Sequence, residues 1–312
     1  MAKRLEGRAG VVTGAGRGIG RAVAELLAAE GAAVVVNDLG AEVDGTGASR
    51  RVADEVVEAI RARGGTAVAN ADSVADFAAA ERIVETAVKE FGAIDILVNN
   101  AGILRDRMIF NMSAEEWDAV IAVHLKGTFN CTRHATRRMR EQRRGRIISI
   151  SSTSGVYGNS GQANYGAAKD GIAGLTRVVA RDVGRYGITA NAVCPGAMTR
   201  MTQTVPQAAR AIRAERGLST GAGERRFPLR NFGPENVAPW VVYLATDAAR
   251  TINGQLFLVM AGMVALLNYP APVRTIVKDG RWTPEEIATI FPHTLGQDLP
   301  NPAPPKTASD AS

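Results

Sequence analysis

Short apolar runs alternate with longer amphipathic segments along most of this chain. The short runs, rich in β-branched residues, predict seven strands at 9–13, 33–37, 67–71, 94–98, 146–151, 188–193 and 255–259. Segments with helical spacing lie between them, at 21–30, 52–63, 77–91, 113 to about 145, 165–186 and 235–246. Because strands and helices alternate, we predict a Rossmann-type α/β fold, a doubly wound parallel sheet with helices on both faces.

The same pattern predicts how the chain is divided. Residues 5–264 should form a single α/β domain, in which 197–233 lose periodicity and suggest a mobile lid over a site. Residues 265–299 should be a C-terminal extension with one helix after Thr283 and Pro284. The proline-rich tail, 300–312, is predicted to be disordered.

Composition then narrows the class of protein. Hydrophobic residues make up 46% of the chain and charged residues 22%, which is typical of a globular protein and excludes a mostly disordered one. The longest apolar run, 256–267, is too short to span a bilayer, and no apolar stretch follows the basic start as in a secretory signal. Two cysteines and three scattered histidines suit a reducing compartment and offer no metal cluster. We therefore expect a cytoplasmic protein with no metal site and no membrane insertion.

The charge is mildly basic, with 37 Lys and Arg against 31 Asp and Glu. Much of the excess lies at the end of one predicted helix, in Arg133, Arg137, Arg138, Arg140, Arg143, Arg144 and Arg146. Such a cluster can bind nucleic acid or phosphate, but no aromatic residues interleave with it and no nucleic-acid motif surrounds it. We favour a solvated helix end, where cations suit the helix dipole, and expect no nucleic-acid partner.

A glycine-rich turn, Thr13-Gly14-Ala15-Gly16-Arg17-Gly18-Ile19-Gly20, joins the first predicted strand to a helix. Glycines let the backbone approach a pyrophosphate, whose charge the helix N-terminus can hold. An ordinary tight turn has the same composition, but this position favours a dinucleotide site. We therefore predict cofactor contacts from Gly14, Arg17, Gly18, Ile19 and Gly20.

Residues at the ends of later strands extend this predicted site. Asp38 can accept hydrogen bonds from both ribose hydroxyls and repel a 2′-phosphate, or it can simply cap the next turn. Arg17 could reach a 2′-phosphate, but Asp38 lies closer to the determining position, so we predict NAD over NADP. Asp72 and the adjacent Ser73 could meet the adenine ring or cap a loop. After the fourth strand, turn residues or further cofactor contacts are expected at Asn99, Ala101 and Gly102.

Ser152, Tyr165 and Lys169 are the candidate catalytic residues. Tyr165 and Lys169 are four residues apart and so share one helix face, and Ser152 follows the fifth strand at the same sheet edge. A tyrosine has a pKa of about 10, and a lysine ammonium together with a nicotinamide cation would favour its phenolate. Tyr165 would then exchange a proton with a substrate alcohol, Ser152 would bond the reacting oxygen, and Lys169 would hold the nicotinamide ribose.

Together these motifs resemble the short-chain dehydrogenase/reductase family over residues 5–262. A further family signature, Pro195-Gly196 followed by Thr199, adds these three residues to the expected cofactor contacts. The segments 36–40, 102–107, 155–159 and 161–164 resemble, more narrowly, the (3R)-hydroxyacyl-CoA dehydrogenase modules of peroxisomal multifunctional β-oxidation enzymes. We expect a free-standing bacterial relative.

The family usually has an asparagine where this chain has His124, and that asparagine holds a water that relays protons toward the lysine. The imidazole or backbone carbonyl of His124 could still hold such a water, or the ring could be packed in the helix without a relay role. In the predicted lid, arginines could meet CoA phosphates or form a solvated basic loop: Arg213, Arg216, Arg225, Arg226 and Arg230.

The resemblance implies an NAD-dependent oxidoreductase acting on secondary alcohols, above all on (3R)-3-hydroxyacyl-CoA. A hydroxysteroid dehydrogenase or a 3-oxoacyl-carrier-protein reductase would use the same three catalytic residues. A dinucleotide sensor without turnover is a more remote hypothesis, because it would need no proton donor at the nicotinamide. Family members usually pair through the two long helices, so we expect a homodimer or homotetramer.

Overall fold

The computed structural model describes residues 3–197 and 232–302, which form two compact units. The first unit holds an eight-stranded sheet in the order β3-β2-β1-β4-β5-β6-β7-β8. Its strands are β1 Ala9–Thr13, β2 Ala33–Asn37, β3 Thr66–Asn70, β4 Ile96–Asn99, β5 Gly145–Ile150, β6 Ile188–Gly196, β7 Leu256–Met260 and β8 Met263–Leu267. Neighbouring strands run parallel except for β8, which is antiparallel to β7.

Helices cover both faces of this sheet, at α1 Gly18–Ala29, α2 Arg51–Ala62, α3 Phe77–Phe91, α4 Ala114–Ile121, α5 Gly127–Gln142, α6 Thr153–Val156, α7 Ala163–Val183 and α8 Ala238–Ala245. Successive residues of a strand point to opposite faces, so Val12 packs in a core with α1, α2 and α8 residues. Its neighbour Val11 packs in a second core with residues of α3, α5 and α7. The predicted doubly wound parallel sheet is confirmed.

The predicted end of the sixth strand was wrong, and the eighth strand was not predicted. Strand β6 does not stop at Val193 but continues to Gly196, and there it pairs with β7 alone because its pairing with β5 ends at Val193. A proline removes one ladder hydrogen bond, and Pro195 is tolerated where only one side of the strand is paired. The apolar run after residue 255 forms two strands, β7 and β8, because a two-residue connection with Ala261 at φ 47° folds it back.

The long helix predicted from Ser113 to about residue 145 is interrupted. It begins as expected with a capping box between Ser113 and Glu116, but α4 then passes into a π-helical turn at Ala122–Lys126 before α5 begins. Such wide turns are frequent at functional sites. This one contains His124, which lies on the side of the candidate site.

Most arginines of the cluster at the end of α5 are exposed, as predicted, but Arg146 is buried. The buried Arg146 donates to Asp247 Oδ1 at 3.1 Å, and Arg144 pairs with the buried carboxylate of Asp95. Asp95 also accepts a hydrogen bond from the backbone nitrogen of Ala9 at 3.0 Å. These groups form an ion-pair network at the amino ends of the strands, opposite the candidate site.

The second unit, within the described residues, is the extension from 268 to 302. Its predicted helix is present as α9, Pro284–Ile290, and begins with a capping box between Thr283 and Glu286. Among the described residues no helix is long and apolar enough to cross a membrane. The residues 198–231 and 303–312 lie outside the description, and they contain most of the predicted lid and tail, including the five lid arginines and Thr199.

Candidate active site

The glycine turn lies at the carboxyl end of β1, where the strand order reverses between β1 and β4. This crevice is where open α/β sheets bind their ligands. Gly14 and Gly18 have φ of 62° and 55°, a left-handed backbone that favours glycine. Arg17 precedes α1 without a side-chain cap, and no acidic residue lies in the first turn. The N-terminus of α1 can therefore receive an anion such as a pyrophosphate.

The turn is locked to the end of β4 by Asn100. Its side-chain nitrogen donates to the carbonyl oxygens of Thr13 at 3.0 Å and Gly14 at 2.9 Å. The contact is so close that a Cβ on Gly14 would lie 2.7 Å from the Cα of Ala101, and one on Gly20 would lie 2.2 Å from the Gly14 oxygen. These glycines are therefore required by the packing of the chain itself, and sequence reasoning missed the part played by Asn100.

Asn99, predicted as a cofactor contact, turns its side chain into the protein interior. It is buried, and its nitrogen donates to Thr132 Oγ1 at 3.0 Å and Ser149 Oγ at 3.3 Å. Asn99 is the last residue of β4 and Asn100 lies just beyond it, so the two side chains have different surroundings. To distinguish the roles of Asn99 and Asn100 from the sequence, one would need to know at which residue β4 ends, and hydrophobic periodicity does not define that residue.

Asp38 lies at the end of β2 beside the glycine turn and is partly buried. Its Oδ2 accepts from the backbone nitrogen of Gly16 and its Oδ1 from that of Gly40, both at 2.7 Å. Asp38 therefore caps the turn, which is the second of the two roles expected from the sequence. The two bonds also fix the Asp38 carboxylate beside the glycine turn.

Asp72 and Ser73 follow β3 at the same sheet edge. The Asp72 Oδ1 accepts from Arg82 Nε at 2.9 Å, and its Oδ2 accepts from Asn70 at 3.1 Å. Ser73 Oγ accepts from the backbone nitrogen of Ala75 at 3.3 Å. Both side chains therefore cap and pin the loop, as the alternative interpretation has it.

The three candidate catalytic side chains meet where β5 ends. Ser152 follows β5, and its Oγ accepts from the Ser154 nitrogen at 3.1 Å, while its side chain acts to lower the pKa of Tyr165. The Lys169 Nζ lies 5.5 Å from the centre of the Tyr165 ring and donates to the carbonyl of Ile150 at 2.6 Å. One helix face thus holds the phenol and the amine, and the end of β5 holds the hydroxyl.

Burial governs the proton affinities of this pair. It raises the pKa of Tyr165 to about 12, and the side chain of Ser152 acts in the opposite direction. Part of Tyr165 remains accessible to solvent. Burial also lowers the pKa of Lys169 to about 7. Burial therefore raises the pKa of Tyr165, whereas the lysine ammonium and a nicotinamide cation were expected to lower it. In the protein alone, the loss of solvent around the phenol outweighs the stabilisation of its phenolate by Lys169. The chain by itself favours a protonated tyrosine.

His124 fills the space between the asparagine motif and Tyr165. Its Nε2 lies 3.0 Å from the nitrogen and 2.8 Å from the oxygen of Ile103, and its Nδ1 is buried without a protein partner. The ring packs so tightly that a Cβ on Gly102 would lie 2.3 Å from its Cε1. One ring nitrogen is therefore paired with the backbone of Ile103, and the other is buried without a protein partner.

The remaining predicted residues lie at the same edge of the sheet. Pro195 and Gly196 end β6, and Ile19 packs against the core from the first turn of α1. The described structure thus brings the glycine turn, the carboxyl ends of β2 to β6 and the three candidate catalytic residues to one edge. This arrangement can bind an extended anionic cofactor and transfer a proton beside it. Among the described residues no group of three or more His, Cys, Asp or Glu could hold a metal ion.

Residues 8–210 match the family model for short chain dehydrogenases. The chain is 43% identical over 304 residues to the hydroxyacyl-CoA dehydrogenase ChsB1 of Mycobacterium tuberculosis, covering 94% of this chain and 90% of that protein. It is 42% identical over 311 residues to the mouse peroxisomal multifunctional enzyme type 2, covering 99% of this chain but 39% of that enzyme.

A solved structure is also similar, the crystal structure of a short chain dehydrogenase from Mycobacterium avium. It has a TM-score of 0.79 and 44% sequence identity, and the match covers 95% of this chain and 97% of that one. A 3-oxoacyl-[acyl-carrier-protein] reductase from Synechocystis is 43% identical over 263 residues, covering 83% of this chain and 98% of that protein. The fold, the ordered motifs and these matches agree, and the chain belongs to the short-chain dehydrogenase/reductase family.

Proposed function

We propose that this protein is an NAD-dependent dehydrogenase that interconverts (3R)-3-hydroxyacyl-CoA and 3-oxoacyl-CoA. The observation that carries the reaction type is the placement of Tyr165 and Lys169 on one face of α7, with the Lys169 Nζ 5.5 Å from the centre of the Tyr165 ring, beside Ser152 at the edge where the glycine turn lies. The substrate class is supported by the similarity to a hydroxyacyl-CoA dehydrogenase over nearly the whole of both chains. The two supports are independent, because the first rests on geometry and the second on sequence.

The cofactor side of the site fits a dinucleotide. The first turn of α1 has no side-chain cap and no acidic residue, so its backbone N–H groups can hold a pyrophosphate. Asp38, fixed by two backbone nitrogens, would accept from the adenosine ribose and repel a 2′-phosphate, which favours NAD over NADP. When bound, the nicotinamide would accept the hydride from C3 of the substrate.

The proton chemistry belongs to the chain's own residues. Ser152 would donate a hydrogen bond to the substrate oxygen, and Tyr165 would take the hydroxyl proton during oxidation or return it during reduction. Lys169 would hold the nicotinamide ribose and lower the proton affinity of Tyr165 when it is charged. We further propose that the available Nδ1 of His124 holds a water in the proton path, since that nitrogen is buried without a protein partner.

The test is a substrate panel followed by NADH absorbance. It would contain (3R)- and (3S)-hydroxyacyl-CoAs of several lengths and a hydroxysteroid, with Tyr165→Phe as the matched control. Turnover confined to the (3R)-acyl-CoAs supports the proposal, and activity only on the steroid overturns it. Tyr165→Phe should lose about 10²–10⁴-fold in kcat while retaining NADH binding, since it keeps the ring and loses the proton. Binding of NADH without turnover of any substrate would favour a sensor.

A second candidate function is the reduction of a 3-oxoacyl carrier protein. It is favoured by the similarity to the Synechocystis reductase, which covers nearly all of that protein. The same catalytic residues would serve it, so the reaction centre does not discriminate. A comparison of kcat/KM for 3-oxoacyl-CoA with NADH and for 3-oxoacyl carrier protein with NADPH separates the two functions.

We also propose that the protein forms a homodimer or homotetramer through α5 and α7. Both helices expose apolar side chains, with Phe129 46% and Val178 56% exposed. Sedimentation of the chain and of Val178→Glu tests this proposal. A wild-type monomer, or an unchanged oligomer in the variant, would contradict the use of this surface.

A further inference from the structure

A small cavity lies at the amino ends of the parallel strands, at the edge of the sheet opposite the candidate active site. Its charged walls come from residues at the starts of β1, β4 and β5 and from the turn after α8. These residues are Arg8, Asp95, Arg144, Arg146 and Asp247. The cavity has a volume of about 20 Å³, which is enough for one water-sized group. Any occupant must therefore be small and must suit charged walls.

Cations and carboxylates alternate along these walls. Arg144 Nε donates to Asp95 Oδ1. Arg8 lies between the two carboxylates, with its Nη1 3.6 Å from Asp95 Oδ1 and its Nη2 2.9 Å from Asp247 Oδ2. Arg146 ends the series by donating from Nη2 to Asp247 Oδ1 at 3.1 Å. Because arginine stays protonated in proteins, three cations face two carboxylates, and one positive charge is left in excess.

The cation at one end of the series, Arg146, is buried and cannot turn toward water. Its Nη1 donates to the carbonyl oxygens of Gly145 at 2.8 Å and Gly187 at 3.2 Å, which holds the guanidinium in place. Burial lowers the pKa of Arg146, and the carboxylate of Asp247 acts in the opposite direction. A cation that has lost its water favours any further negative charge that can approach it.

The cation at the other end, Arg144, has donors to offer. Its side chain is about half exposed, and among the described residues only its Nε has a hydrogen-bond partner. The two amino groups of the guanidinium can therefore donate to an ion in the cavity, where hydrogen bonds between charged groups are the stronger kind.

We propose that this cavity binds one monovalent anion of about the size of chloride. The size follows from the volume of the cavity, and the charge follows from the single excess cation, since one negative charge makes the set neutral. The bound anion would link the starts of β1, β4 and β5 to the turn after α8 and so stabilise this edge of the sheet. The inference does not depend on the proposed function, because the chemistry of that function lies at the opposite edge.

The main test measures the Tm while chloride replaces gluconate at constant ionic strength. Gluconate is too large for the cavity, and saturating NADH keeps free anions away from the glycine turn. We expect the Tm of the wild type to rise by about 2–4 °C. Arg144→Gln, which leaves no excess charge, should lose this rise, and Arg144→Lys, which keeps the charge, should restore it at least in part. Arg51→Gln, which removes an exposed cation on α2, is the matched control and should rise as the wild type does.

A second measurement reverses the sign of the change. Asp247→Asn removes an exposed carboxylate and raises the excess to two positive charges, so chloride should bind about fourfold more tightly, as followed by the line width of its NMR signal. An unchanged affinity in this variant would contradict the charge argument.

The position of the ion can be seen without any variant. Crystals of the wild type soaked in bromide should show an anomalous peak in the cavity, in contact with Arg144. A cavity without bromide, or an equal rise in Tm in the wild type and in Arg144→Gln, overturns the inference.

Discussion

The imidazole of His124 stands edge-on to the phenol of Tyr165, with their ring centroids 5.1 Å apart. Burial lowers the pKa of His124 to about 3, and the nearby Lys169 adds to this effect. The ring beside the candidate proton donor is therefore neutral at every pH at which the enzyme would operate. A neutral ring can accept or donate a hydrogen bond without adding charge next to the tyrosine.

The same burial predicts an acid-sensitive fold. Between about pH 6.5 and pH 3 the unfolded chain binds a proton at His124 that the folded chain excludes, so the free energy of unfolding falls as the pH falls. This group contributes at most about 1.4 kcal/mol per pH unit. Urea unfolding at a series of pH values should show a flatter decline for His124→Gln than for the wild type. The exposed His293, replaced by Gln, is the control, and parallel declines in all three proteins would refute the assignment.

Asn100 should be needed for both stability and cofactor binding. Replacement by Ala leaves the carbonyl oxygens of Thr13 and Gly14 without this donor, at a cost of about 1–3 kcal/mol in the free energy of unfolding. The glycine turn should also loosen, which would raise the Kd for NADH. Denaturant unfolding and a fluorescence titration of NADH measure the two effects. The exposed Asn111, replaced by Ala, should change neither quantity.

Asp38 should determine which dinucleotide is bound. The Asp38 carboxylate accepts hydrogen bonds from two backbone nitrogens. In Asp38→Asn the side-chain NH2 group would face one of these N–H donors and could not accept from it, and the negative charge would be lost. We expect weaker NADH binding and at least a tenfold fall in the ratio of the Kd for NADPH to that for NADH. Titration of both cofactors against wild type and variant measures this ratio. An unchanged ratio would limit Asp38 to its capping role.

Asp95 should stabilise the edge of the sheet opposite the site. It is buried and bonds Arg144 and the Ala9 nitrogen, so Asp95→Asn leaves a cation poorly paired. Because Arg144 is about half exposed, we expect a loss of only about 1–3 kcal/mol in unfolding free energy, with kcat unchanged. Glu55→Gln, which removes an exposed helix pair with Arg51, should have little effect. Equal losses in the two variants would show that burial of Asp95 does not matter.

Much of the fold could be predicted from local pattern. The first, second and third strands and α3 agree with the predicted segments to within one residue, because buried β-branched runs and helical spacing are properties of the sequence itself. The order of the motifs also placed the glycine turn, Ser152, Tyr165 and Lys169 at one sheet edge, since all follow strands of a parallel sheet. Their direct contacts could not be predicted, because they depend on how neighbouring strands are placed in space.

The sequence by itself determined the class of fold, the family and the sheet edge at which the candidate site lies. Only the tertiary structure decided that Asn100 rather than the side chain of Asn99 holds the glycine turn, and that Asp38 is held by two backbone nitrogens. Periodicity records which face of an element is buried, whereas hydrogen bonds and pKa values depend on which distant groups share that burial.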